Sequence, residues 1–346
     1  MSPKVYIVIL NWNGWKNTIE CLESVYRQDY ENYKVIVCDN DSDDQSIKHI
    51  QAWAEGKEKL NLSSNSSLYS LTSTPVKKTI NTQVIDREKA ESGEMTNETQ
   101  AELILIKTGG NLGFAGGNNV GLRYAQKQDD FDYVWLLNND TVIEGDCLSN
   151  MVNYSTNYPE KNICGSMLIF YDDPTIIQAL GGNGYNKWTG NASTTYGRGK
   201  SVHEKIDHKY YENQLAYITA ASWLLPKSFL QEIGLMEESY FLYYEEIDWC
   251  IRNNDKYKLC YAPDAKVYHK EGSSIGSPTG ERPSSILSDF YLFRNKLKLT
   301  KRYFPEALLT TYLSTFLQVI NRMRRGQWDK AKLILKILFG KNTLSH

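Results

Sequence analysis

The sequence predicts an α/β fold built on a largely parallel sheet with crossover helices. Along the first 140 residues, short β-branched or apolar runs alternate with segments of helical spacing. Several runs stop abruptly in amides or carboxylates, at the strand ends where open α/β sheets gather ligand-binding groups. At 346 residues, with 41% hydrophobic and 12% aromatic content, the chain can bury one large core or two modest ones.

The elements follow in order. Lys4 to Leu10 (KVYIVIL) reads as a strand, and Trp15 to Tyr30 shows helical spacing through Ile19, Leu22 and Val25. Tyr33 to Cys38 (YKVIVC) is the second strand, after which Ser42 opens a helix with Ile47 and Ile50 facing inward. From 54 to 101 the pattern dissolves into Ser, Thr, Asn, Lys and Glu, which reads as a polar surface insertion compatible with disorder. A lid or docking loop is its functional alternative. Glu102 to Lys107 (ELILIK) is the third strand, followed by a Gly-rich helix entry and the strand YVWLLN from Tyr133.

The formal charge of −2 argues against a nucleic-acid partner. The six cysteines show no paired metal-ligand spacing and fall in apolar segments, so reduced, buried thiols and a cytoplasmic setting are expected. The N-terminus lacks a signal-peptide pattern, and no apolar run approaches the roughly 18 to 20 residues that span a bilayer. Residues 276–346 read as a basic, amphipathic helical segment after a catalytic region over 1–275. From Arg294 to Lys341, twelve basic residues face only Glu306 and Asp329. Such helices suit an anionic membrane surface, peripheral on its inner face, or equally a packed subdomain with a solvated basic side.

Four clusters carry candidate chemistry. In YVWLLNNDT, the apolar run delivers Asn138, Asn139 and Asp140 to a strand end, where Asp140 can hold a hard cation; the plain alternative is a turn with Asp140 or Thr141 capping a helix. CDNDSDD places Asp39 after the second strand, able to accept hydrogen bonds from a base or ribose, with Asp41 or Ser42 as a helix cap. In GGNLGFAGGNN, Gly110, Gly113 and Gly116 recur every three residues, allowing close backbone approach to a diphosphate at a helix start. In YFLYYEEIDWCIR, Glu245, Glu246 and Asp248 crowd a helix start among aromatic residues, surroundings that raise a carboxylate toward a general base's range; dipole complementation is the alternative. His269, closing KVYH, is a further ligand candidate.

The ordered set NWNGW, CDNDSDD, NLGFAGGNN, LLNNDT, FLYYEEIDWCIR, VYH and FYLFRN resembles family-2 glycosyltransferases of the GT-A fold, especially their rhamnosyltransferase-like branch. The resemblance covers residue 4 to about 300, apart from 54–101. It implies a Rossmann-like mixed sheet, a UDP- or dTDP-linked sugar donor, a divalent cation (Mg²⁺ or Mn²⁺) and inversion at the anomeric carbon. A saccharide or lipid-linked acceptor in cell-surface polysaccharide synthesis goes with it. By position, Asp39 matches the base or ribose contact, Asp140 the last acid of the metal motif, His269 the second metal-side residue and Glu246 the catalytic base. Asn11, Asn13, Asn111, Gly113, Gly116, Asn118, Asn138 and Asn139 fall on the donor-binding motifs.

Two positions depart from the family pattern. Asn138 stands where many relatives have Asp, so the cation would rely on donor oxygens and water as well as Asp140. Glu246 is one methylene longer than the commoner Asp, which leaves Glu245 or Glu246 open as the base. Trp188, Trp223 and Trp249 are candidates to line the acceptor side. A nucleotidyltransferase would need a basic N-terminal loop that NWNGW lacks. A catalytically silent sugar-nucleotide-binding or scaffold protein is the alternative function, because both departures touch the chemistry.

Overall fold

Alternation along β1 (Val5–Asn11) sets the layers. Val5, Ile7 and Ile9 pack into one core and Tyr6 and Val8 into the other, so helices must cover both faces of the sheet. The computed structural model describes residues 2–59, 68–73, 76, 79–93, 101–270 and 284–341. After β1 come α1 (Trp15–Val25), β2 (Tyr33–Asp39), α2 (Ser46–Ala54) and the single turn α3 (Tyr69–Thr72). Then follow β3 (Thr82–Asp86), α4 (Arg87–Ser92), β4 (Leu103–Lys107), α5 (Gly113–Gln128), β5 (Tyr133–Asn138), β6 (Thr141–Ile143) and α6 (Cys147–Asn157). The second half runs β7 (Asn162–Phe170), β8 (Ile177–Leu180), β9 (Gly182–Asn186), β10 (Asn191–Thr195), α7 (His208–Glu212), β11 (Tyr217–Ile218), β12 (Ser222–Pro226) and α8 (Lys227–Ile233). It ends in α9 (Glu245–Asn253), β13 (Lys258–His269), α10 (Ile286–Tyr303), α11 (Leu308–Arg324) and α12 (Trp328–Leu338).

The main sheet has the order β3-β4-β2-β1-β5-β12-β7-β13-β6, with β8 paired to β7. β3 through β5 are parallel; β12 then lies antiparallel to both β5 and β7, β13 runs parallel to β7, and β6 closes the edge antiparallel. A small sheet of β10, β9 and β11 stands apart. Helices α1, α2 and α6 fill one face, and α5, α8 and α9 the other. Strand order reverses at β1, and the registers Asn11 to Asp39 and Leu10 to Asn138 bring three strand ends level there.

Three expectations about elements are corrected. Within 54–101, β3 extends the sheet and α4 packs on α5, with Ile85 and Ala90 buried; residues 60–67, 74–75, 77–78 and 94–100 of that stretch lie outside the described residues. The helix after β2 begins at Ser46 rather than at Ser42, and Asp44 accepts from its first backbone N–H. Thr141 opens a strand pairing with β13, so neither it nor Asp140 caps a helix.

Helices α10, α11 and α12 pack around Phe290, Phe293, Leu297, Val319, Ile334 and Ile337, while Leu299 joins the main core. No helix among the described residues is long and apolar enough to cross a membrane. All six cysteines are free and buried, as their apolar contexts predict.

Candidate active site

At the end of β1, buried Asn11 donates through Nδ2 to Asp39 Oδ1 at 2.7 Å and accepts from Thr18 Oγ1, which in turn accepts from Asn139 Nδ2 at 3.0 Å. Ser42 locks the second side: its hydroxyl donates to Asp39 Oδ1 and accepts from the Asn13 backbone N–H. These bonds hold the Asp39 carboxylate at the rim of a cleft lined also by Gln45, Lys48, Val84, Arg87 and Lys107. Val84 and Arg87 come from β3 and α4, elements that the sequence pattern left unassigned.

The neighbouring loop is ordered by amides. Asn40 Nδ2 donates to Asn111 Oδ1 at 3.0 Å, and Asn40 Oδ1 accepts from the Leu112 backbone N–H. The Gly113 N–H goes to Asn111 Oδ1, and the Phe114 N–H goes to the Phe241 carbonyl at 2.6 Å. The first two amides of α5, those of Gly113 and Phe114, are therefore already satisfied by protein. Its glycines serve packing. A Cβ on Gly113, whose φ is +70°, would collide with Phe241; on Gly117 it would collide with Leu10, and on Gly116 with Leu112. Asn118 bonds back to the Phe114 carbonyl within the helix.

At the end of β5, the Asn138 backbone N–H pairs with the Ala221 carbonyl and Asp140 follows in a tight turn. His269 closes β13, and its Nε2 lies 3.3 Å from Asp140 Oδ1. Its other nitrogen, Nδ1, is 2.9 Å from Gln178 Oε1 on β8. With that oxygen as acceptor, Nδ1 carries a proton and Nε2 is the nitrogen turned toward Asp140. Ligands at about 2.1 Å in octahedral geometry sit about 3 Å apart when adjacent, so this pair fits two corners of a Mg²⁺- or Mn²⁺-like ion. Among the described residues no group of three or more His, Cys, Asp or Glu gathers that could hold a metal ion. Beside the pair, Lys270 is bound to buried Glu20 of α1, which also accepts from Tyr171 at 2.6 Å.

The second centre lies at the start of α9. Phe241, Tyr243 and Tyr244 have φ of 66°, 64° and 74°, a left-handed backbone that costs bulky residues on the order of 1–3 kcal/mol each. Fully buried Asn295 of α10 compensates by donating through Nδ2 to the carbonyls of Tyr240, Leu242 and Tyr243 at 2.8, 2.7 and 3.1 Å. Arg294 adds a bond to the Ser239 carbonyl. The strained loop aims Glu245 and Glu246 inward, and Glu245 Oε2 and Glu246 Oε2 have no hydrogen-bond partner among the described residues. Burial and then the Glu246 charge hold Glu245 well above the usual carboxylate range, against the pull of backbone N–H groups. Burial pushes Glu246 up to about 7, also against backbone donors. Glu246 is partly exposed, whereas Glu245 is buried.

Asp248 stands apart from this pair. It takes Arg252 at 2.6 Å, Tyr303 at 2.8 Å, and more distantly Tyr240 and Arg302, so its oxygens tie α9 to α10. Trp223 and Trp249 stack 5.5 Å apart inside the core, which corrects their placement on the acceptor side. Trp188 is half exposed. Asn295, Gln178 and the Glu20–Lys270 pair escaped sequence reasoning; only the FYLFRN motif pointed to the first.

A family model described as glycosyl transferase family 2 matches residues 6–67 and 83–233, from β1 through α8. The chain belongs to that family. Among curated relatives, the low-salt glycan biosynthesis hexosyltransferase Agl10 of Haloferax volcanii is 27% identical over 162 residues, 42% of this chain and 45% of the relative. The match thus spans about half of that protein's length. The solved mannosyltransferase PcManGT of Pyrobaculum calidifontis, in complex with GDP-Man and Mn²⁺, matches at a TM-score of 0.50 and 13% identity, covering 99% of this chain and 87% of that one. GalNAc-T7 with UDP, GalNAc and Mn²⁺ matches at 0.54 and 14% identity, covering 97% and 56%. The family-2 transferase therefore has the GT-A fold expected from its motifs, and its Asp39 and Asn138 stand on strands inside the matched region.

Proposed function

We propose that the protein is an inverting, metal-assisted hexosyltransferase that moves a sugar from a nucleoside diphosphate to a hydroxyl of a saccharide or lipid-linked acceptor. Family membership supports sugar transfer from a nucleotide-sugar donor, and the solved relatives with bound Mn²⁺ support the cation. The observation that carries the mechanism is Glu246, a partly exposed residue in the first turn of α9, directly after the left-handed loop, whose carboxyl burial raises to about 7.

Asp39 receives the nucleoside, held by Asn11 and Ser42 so that its free oxygen capacity faces the cleft. Asp140 and His269 would hold the cation, which would neutralise charge developing on the departing diphosphate. Glu246 takes the acceptor proton as the hydroxyl attacks the anomeric carbon from the face opposite the diphosphate, and a single base suffices for this inversion. Glu245, buried and held protonated, keeps a second negative charge away from Glu246. Asp248 positions the loop through α10.

Transfer and donor binding measured separately across a panel of UDP-, dTDP- and GDP-sugars with Mn²⁺ test the reading. Glu246→Gln is expected to lower kcat by roughly 10²- to 10⁴-fold with donor affinity little changed. Near-parental transfer by this variant would remove the base assignment. Absence of donor binding and hydrolysis by the parent across the panel would favour a silent sugar-nucleotide-binding protein.

A further inference from the structure

Helix α11 is amphipathic in the wrong sense for a helix packed on a protein core. Its inward residues are Thr311, Thr315 and Val319, all buried, and the Thr311 hydroxyl has no hydrogen-bond partner among the described residues. Its outward residues are Leu309, Tyr312, Leu313, Phe316 and Leu317, exposed by 72, 38, 58, 47 and 59%. Their spacing of three and four residues draws one continuous stripe, which Met323 prolongs to a length of roughly 21 Å. An exposed apolar stripe of this kind marks a surface that meets an apolar phase or partner.

The charges around the stripe decide which. Helix α11 contains no Asp or Glu, and Arg324, seven residues after Leu317, ends the stripe beside Arg325. On α12, which packs against α11, Lys332 and Lys336 are exposed and Trp328 is exposed by 55%. Glu306, at the other end, is paired with Lys187. A second copy of the chain would bring like charges together along the whole seam. An anionic bilayer pairs with these basic groups, which outnumber the exposed Asp329 of α12, takes the leucines and phenylalanine below its headgroups, and suits Tyr312 and Trp328 at the boundary.

We infer that the outer face of α11 docks the protein on an anionic lipid surface, with the helix lying in the plane of the interface. The inference does not depend on the transfer chemistry. Because α10 carries both the packing against α11 and the Asn295 clamp on the Glu246 loop, docking fixes the acceptor-side acids relative to the surface.

Sedimentation of the full chain with sucrose-loaded vesicles of phosphatidylcholine, with or without phosphatidylglycerol, tests it. The parent is expected to bind only the phosphatidylglycerol vesicles, and binding should weaken steeply with salt. Replacing Leu313, Phe316 and Leu317 together by Ser should reduce binding by tenfold or more, with the circular dichroism spectrum and donor binding unchanged. Arg324→Gln with Arg325→Gln should weaken binding several-fold and flatten the salt dependence. Glu246→Gln should bind vesicles as the parent does. Three results would each overturn the inference: no parental binding to phosphatidylglycerol vesicles, undiminished binding by the triple Ser variant, or equal binding to phosphatidylcholine alone. A parental dimer that the triple variant dissolves, without vesicle binding, would assign the stripe to a second copy.

Discussion

Gly113 and Phe241, 128 residues apart in the chain, share a contact with no room for a side chain: the Phe241 carbonyl occupies the place of a Gly113 Cβ and accepts the Phe114 N–H at 2.6 Å. Helix α5 and the loop that leads into α9 are thus registered against each other by one glycine. Gly113→Ala should push the loop away, lowering kcat by tenfold or more while donor affinity changes little, and it should destabilise the fold by over 1 kcal/mol because φ is positive there. Unchanged kcat in an otherwise folded variant would show that loop registration does not matter.

Asp140→Ala and His269→Ala should each weaken donor binding in the presence of Mn²⁺ by roughly tenfold or more, and leave the weak binding without metal nearly unchanged. Gln178→Leu, which removes the acceptor for His269 Nδ1, should give a smaller loss of the same kind. Calorimetric titration with and without Mn²⁺ reads all three. Metal-independent donor affinity in the parent would rule out the pair as a cation site.

Glu246 and Glu245 make stability and activity run in opposite directions with pH. Both carboxyls are raised by burial, so their protonated forms favour the folded state. That contribution is full below the ordinary carboxylate range and is lost as pH rises through about 7 for Glu246. Transfer should rise over the same interval, because a base must be ionised. Glu246→Gln should raise the melting temperature above pH 7, by an amount corresponding to at most about 3 kcal/mol, and have little effect near pH 5. A parental melting temperature that climbs from pH 6 to pH 8, and a variant that follows it, would contradict this assignment.

Replacing 82–93 with a Gly/Ser linker should lower stability by about 3 kcal/mol or more, since Ile85 and Ala90 leave the core and β4 becomes an edge. Denaturant unfolding measures it. A midpoint equal to the parent's would return this stretch to surface decoration.

The sequence announced its strand ends clearly, because an apolar run that stops in Asn-Asn-Asp or Asp-Asn has few other uses in an α/β chain. Asp39 and Asp140 were singled out that way, and the glutamates of α9 by their crowding at a helix start among aromatic residues. The β3 strand was not, since TQVID pairs on one side only and offers just Val84 and Ile85 as apolar residues. The glycines of α5 were seen, but their packing partners Phe241 and Leu10 are tertiary and leave no local signal. Trp223 and Trp249 look identical to binding aromatics until their stacking in the core is known. Asn295, marked only by the FYLFRN motif, and Gln178 act through hydrogen bonds to groups far away in the chain, whose partners no local pattern names.

The Asn295 clamp also bears on the order in which the enzyme comes into being. A chain synthesised from its N-terminus can assemble the sheet, with Asp39 and Asp140 at its strand ends, before α10 has left the ribosome. The left-handed turns at Phe241, Tyr243 and Tyr244 have no such independence, because the amide that holds their carbonyls arrives with α10. The strand ends that carry Asp39 and Asp140 can therefore form before the turn that leads into Glu245 and Glu246 is held.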